Sequence, residues 1–152
     1  MKKLFYLFIA GFMIFSLGCS DDSDGGESGD VTLRADGLYV SEQGSINYFM
    51  RFYDDGTVLL TTSVSEADDV AEWLNKENSG ETYIKSAEYL NHSNKISFQI
   101  DSQDLEVDYS GAVLNNAITL HIISTNYNTG PHQDPETTES YRDYGFESVN
   151  FE

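Results

Sequence analysis

From Val31 onward, apolar and polar side chains take turns along most of the chain, the two-residue period of strands that bury one face. "GLYV" opens the series, and "SINYFMRFYDDGTVLLTTSV" reads as a hairpin. A two-residue turn at Asp55-Gly56 would set Arg51 against Leu60 and mix the faces. A three-residue loop, Asp54-Asp55-Gly56 with Gly56 left-handed, instead pairs Phe52 with Val58, Met50 with Leu60 and Ile46 with Val64, which gathers an apolar face. Arg51 and Tyr53 then point the other way.

A second hairpin lies in "DLEVDYSGAVLNNAITLHIIS". Asn115-Asn116 suits a tight turn because asparagine tolerates positive φ. Counting outward sets Val113 against Ile118, Gly111 against Leu120 and Tyr109 against Ile122 on one face, with Glu106, Asp108, Ser110 and His121 on the other. Gly111 leaves room, or a bend, in its strand. Between the hairpins, "SEADDVAEWLNKENSG" breaks the alternation and predicts a helix. Ser65 would be its N-cap, with Asp68 three residues on as a capping box, and Lys76 would suit its C-terminal end. Val70, Trp73 and Leu74 form its apolar stripe. "TYIKSAEYL" and "KISFQID" follow as strands, with Ile96, Phe98 and Ile100 facing inward. "STNYNTGPHQDPETTES", Ser124 to Ser140, holds both prolines and reads as a long loop, of the kind that is functional or disordered. "YRDYGFESVNFE" supplies the closing strand, its inward face either Tyr144/Phe146 or Val149/Phe151.

These elements make an all-β chain of eight strands linked in sequence, with one short helix after the third. An antiparallel meander with one apolar face removes its exposed edges by closing, so an eight-stranded up-and-down barrel is expected, with a two-sheet sandwich as the alternative. "DGLYV", "FYDDGTV" and "YGFESVNF" resemble the lipocalin-like (calycin) barrels over Val31 to Glu152. That resemblance implies a barrel that binds a small molecule.

The first thirty residues have another character. Met1-Lys2-Lys3 is a basic head, and Leu4 to Leu17 carries no charge. As a helix that stretch would cover ~21 Å, short for a hydrocarbon core of roughly 30 Å, which favours a secretory signal over residues 1–18 above a signal anchor. "FSLGC" then resembles the lipobox of bacterial lipoproteins, in which the thiol of Cys19 is acylated and becomes the first residue. Cys19 is the only cysteine, so no internal disulfide competes for it; a free thiol is the alternative. Residues 20–30 follow with five acids and no base, the composition of a disordered leash. The acids after Cys19 resemble a surface-export signal of lipoproteins in some Gram-negative lineages, or form a solvated spacer. The expectation is a protein held at the outer membrane by lipid, facing the cell exterior, with its folded domain in residues 31–152.

Charge narrows the partners. Removing Lys2 and Lys3 from the eight bases leaves six against 26 acids, a formal charge of −20. Nucleic acid requires clustered Lys and Arg and is excluded. An enzyme is not expected either, since no nucleophile elbow, zinc-binding His-Glu-x-x-His or phosphate-cradling glycine loop is present. Asp101, Asp104, Glu106 and Asp108 could bind Ca²⁺ or act as paired carboxylates, but Glu106 and Asp108 alternate onto the wet face, and the histidines share no ligand spacing; His132-x-Asp134-x-Glu136 is the remaining metal candidate. Neither a metal nor a cofactor is expected. Two readings stay open. In one, Tyr48, Phe98 and Tyr109 line a cavity with the helix, through Trp73, or the long loop at its mouth. In the other, the barrel is solid and its outer face or long loop docks a protein or polymer.

Overall fold

In the computed structural model, which describes residues 31–130 and 133–151, Tyr39 pairs with Met50 on one side and with Phe146 on the other. The strand that carries it, β1 (Gly37–Gln43), therefore has no free edge, and the sheet closes on itself. The other strands are β2 (Ile46–Phe52), β3 (Thr57–Ser63), β4 (Lys85–His92), β5 (Lys95–Asp101), β6 (Leu105–Leu114), β7 (Ala117–Asn126) and β8 (Glu136–Ser148). Neighbours are antiparallel and follow chain order, making an eight-stranded up-and-down barrel with, among the described residues, one short α-helix, α1 (Ala67–Trp73), after the third strand. This is the expected fold class.

Both hairpin registers follow the apolar positions. Phe52 pairs with Val58 and Met50 with Leu60, around a loop in which Gly56 has φ +86°. Val113 pairs with Ile118, Gly111 with Leu120 and Tyr109 with Ile122, across a turn in which Asn116 has φ +57°. The expected Ile46–Val64 pair does not form. The β2–β3 ladder ends at Asn47 and Ser63, and both apolar side chains are exposed. Ser63 Oγ accepts the Ser65 backbone N–H at 3.0 Å, a local bond that turns the chain off the strand and toward the helix.

That bond also removes the expected capping box. The N-cap is Glu66, with no side-chain hydrogen bond, and Ser65 lies outside the helix. The helix ends at Trp73, and Asn75 then caps a separate 3-10 turn at Lys76–Asn78 through its Oδ1. Lys76 therefore does not serve the helix C-terminus; its ammonium pairs with Asp55 in the β2–β3 loop.

The alternation also hid a second apolar layer. Leu38, Val40, Phe49 and Leu59 point out of the barrel, yet they are buried, together with Val70 and Ala71 of α1, Leu74 just past its end, Ile84 and Val149. The helix lies against the outer wall of β1–β3, so these strands bury both faces. Continuous runs such as Leu38-Tyr39-Val40 carry that signal. Strand β8 accordingly sends Tyr144 and Phe146 inward, and the chain beyond it sends Val149 to the outer layer.

The long loop is shorter than expected. Pairing continues through Ser124–Thr138, Thr125–Thr137 and Asn126–Glu136, leaving residues 127–135 to connect the strands. This extension is a ribbon with polar residues on both faces, so no alternation marks it; β-branched threonines carry it, with the Thr125 and Thr137 hydroxyls 3.3 Å apart. The signal segment, Cys19, the acidic leash and His132 lie outside the described residues.

Candidate ligand-binding site

The barrel interior changes character along its axis. At the end where β1 begins, aromatic rings meet edge to face: Phe52 lies 5.5 Å from Tyr39, 5.1 Å from Tyr89 and 6.3 Å from Phe98. Val58, Ile96, Val113 and Ile118 fill the space between them and are buried. Val31 and Leu33 pack onto this core from the preceding segment. Arg34 fastens that segment: its guanidinium pairs with Asp36 at 2.7 Å, donates to Asn116 Oδ1 at 3.2 Å and lies 3.8 Å over the Phe146 ring. The Arg34 backbone N–H donates to the Tyr39 hydroxyl at 3.0 Å. This end is closed.

The other end is hollow. A cavity of about 450 Å³ opens there, within the size range of small-molecule sites. Met50, Leu60 and Ile122 form its apolar wall, and the rings of Tyr48, Tyr109 and Tyr144 surround it. Thr62, Thr82, Ser140, Lys85 and Arg142 add polar groups toward the mouth. A second hollow of about 190 Å³ shares Leu60, Lys85 and Tyr109 and runs on past Ile100, Leu105 and Val107. The rim beside Tyr83 is pinned where the Thr61 hydroxyl donates to the Tyr83 carbonyl at 2.9 Å.

Of the four aromatic residues expected at a ligand site, Tyr48 and Tyr109 line the cavity. Phe98 does not. It stacks on Tyr109 with ring centres 4.6 Å apart and belongs to the packed core beneath the cavity. Trp73 does not reach the interior either, because its helix lies on the outer wall; it meets Tyr83 edge to face at 5.5 Å, behind the rim. The helix is therefore no lid. Arg142 and Lys85 were not anticipated, and Tyr144 was expected only as one of two alternatives for the inward face of β8. Once Tyr144 and Phe146 face inward, period two carries Arg142 inward as well, so settling the face of β8 would have found it.

Burial sets the state of the phenols. It pushes Tyr109 up to about 12, with Tyr144 adding to the shift and Arg142 opposing it. Burial also raises Tyr144, against a hydrogen bond and charge from Arg142. Both stay neutral near pH 7 and can donate or accept a hydrogen bond. Arg142 lies with its guanidinium carbon 3.6 Å over the Tyr48 ring. It donates to Gln43 Oε1 at 3.3 Å and approaches the Tyr144 hydroxyl at 3.5 Å.

The other candidate groups lie away from the cavity. Asp101 pairs in register with Glu106, and Gln99 with Asp108. Among the described residues, no three or more His, Cys, Asp or Glu side chains gather as a metal-ligand set. On the strand face opposite the cavity, His121 stacks on Tyr141 at 4.5 Å and lies 3.2 Å from Glu139.

No protein-family model matches the sequence, and no curated protein matches it. Solved structures similar to the chain include apo Bradavidin2, at 12% identity and TM-score 0.49 over 75% of this chain and 98% of that one. A rhizavidin–biotin complex is similar at 10% identity and TM-score 0.44, over 76% of this chain and 96% of that one. Apo shwanavidin is similar at 12% identity and TM-score 0.42, over 75% and 96%. The barrel assignment itself rests on the closed strand pairing described above.

Proposed function

We propose that this chain is a lipid-anchored binding protein of a Gram-negative outer membrane, facing the cell exterior, and that its barrel takes a small amphipathic ligand. One observation carries the binding part: the barrel is packed at one end and hollow at the other, and the hollow combines an apolar wall with convergent phenols, hydroxyls and cations. A solid interaction module has no use for such a space. The anchoring part rests on Cys19 and its sequence surroundings. The described chain begins at Val31, against the closed end. A tether attached there leaves the mouth, at the opposite end, clear of the attachment point. Two acyl chains hold a protein firmly, whereas one gives marginal, reversible binding.

Two experiments test the two parts. Cys19→Ala should move the protein from the membrane fraction to the soluble one; retention in the membrane contradicts the anchor. For binding, a thermal-shift screen of amphipathic compounds should find one that raises the melting temperature, since a ligand at a hundred times its Kd stabilises by about 2.7 kcal/mol. Thr62→Trp places an indole in the mouth from an exposed, inward-facing position and should abolish that shift while the protein stays folded. A shift that survives Thr62→Trp places the ligand elsewhere.

A further inference from the structure

Resting on the binding reading above, we infer that the ligand carries a single anionic group and that Arg142 receives it. The chain has 26 acidic residues and only eight basic ones, yet no carboxylate lines either hollow, while Arg142 and Lys85 do. The residues around Arg142 explain why it lacks a counter-charge. It pairs with Leu120 in register, and its inward neighbours along β8 are Ser140 and Tyr144. Glu139 and Asp143 alternate to the opposite face, where Asp143 accepts a hydrogen bond from the Thr119 hydroxyl.

Arg142 is half-buried, its Nε is fully covered and has no hydrogen-bond partner, and no ion pair among the described residues includes it. Arg34 shows the contrast. Its Nε and one terminal nitrogen grip both oxygens of Asp36 at 2.9 and 2.7 Å. A guanidinium offers five N–H groups in a planar fork that matches a carboxylate or sulfate, and partial burial without a counter-ion costs free energy that such a group returns. Tyr48 holds the guanidinium flat, and Gln43 fixes one terminal nitrogen, so the fork is oriented before a ligand arrives. Met50, Leu60 and Ile122 then receive an apolar body. The chemistry that fits is an anionic head on an apolar chain or ring. Lys85, exposed at the rim, adds attraction at longer range.

The test uses the protein with Cys19→Ala and a neutral fluorescent probe, N-phenyl-1-naphthylamine, displaced by decanoate, decyl sulfate or decanol. In the otherwise native protein, the two anions should displace the probe at concentrations about tenfold to a hundredfold below decanol, the range for a hydrogen bond to a charged group. Decanoate and decyl sulfate, run separately, tell a planar from a tetrahedral head. Arg142→Gln should bring all three within about threefold of one another. An anion preference that survives Arg142→Gln overturns the assignment. Equal affinities in the native protein also overturn it, and leave the binding reading standing. Failure of the probe and all three competitors to bind overturns both. Should Arg142→Gln fail to bind the probe, Arg142→Lys decides: a preference reduced several-fold supports the assignment, and an undiminished one refutes it.

Discussion

Gly111 is a position at which a single methyl group should do severe damage to this barrel. A Cβ built there would lie 1.9 Å from the Thr119 carbonyl oxygen and 3.0 Å from the Leu120 Cα, both backbone atoms of the adjacent strand. Ordinary contact begins near 3.4 Å, so β6 and β7 must part by about 1.5 Å where Gly111 and Leu120 pair. No side-chain rotation relieves a clash between backbones. Overpacking costs about 1–3 kcal/mol, and each ladder hydrogen bond lost as the strands part adds about 1 kcal/mol. Gly111→Ala should therefore destabilise by about 3 kcal/mol and lower the melting temperature by roughly 10 °C for a domain of this size. Gly145 is the control, a strand glycine of the same barrel with no atom within 4 Å of its built Cβ. Gly145→Ala should stay within about 0.5 kcal/mol of the native protein, or stabilise slightly through the unfolded chain. Urea unfolding followed by circular dichroism gives both values. Equal effects at the two glycines, or a neutral Gly111→Ala, would refute the strand register and the close approach it imposes.

The remaining predictions concern the two apolar layers. Tyr109, pushed up to about 12 from an ordinary 10.0, favours the folded state while neutral. Its contribution is fully present below pH 10 and is lost as pH rises through about 12, so absorbance titration should show a late-titrating group of phenols, Tyr144 among them, that Tyr109→Phe reduces by one. A single titration step complete near pH 10 would contradict its burial. Trp73→Ala should cost about 1–2 kcal/mol, because the indole is half-buried in the outer layer. It should leave ligand affinity within about twofold; a loss matching that of Thr62→Trp would return Trp73 to the site.

What the sequence made legible follows from where water sits. Tyr109 lies between Asp108 and Ser110, and Met50, Leu60 and Ile118 each precede a polar residue, so period two places them correctly in the interior; Val113, between Ala112 and Leu114, is placed by the register of the Asn115-Asn116 turn. Leu38 and Phe49 carried no such mark: the wall they face looks like surface until the helix covers it, and covering is a tertiary event. The start of β8 was missed because Thr137 and Thr138 have solvent on both sides. At the site, Tyr48 and Tyr109 were found by their faces, whereas Phe98 has the right face and the wrong depth. Alternation reports which way a side chain points and carries nothing about its height along the barrel axis. Arg142 was not singled out because the inward face of the closing strand stayed open between Tyr144/Phe146 and Val149/Phe151; its register places it inside.

Methyl-resolved NMR of the protein during titration with decanoate tests the central claim, a ligand cavity confined to one end of the barrel. Leu60 and Ile122, in the cavity wall, should shift with a common saturation curve, while Ile96 and Ile118, in the packed end, stay in place. Shifts centred on Ile96 and Ile118, or no shift at Leu60 and Ile122 at saturating decanoate, would contradict it.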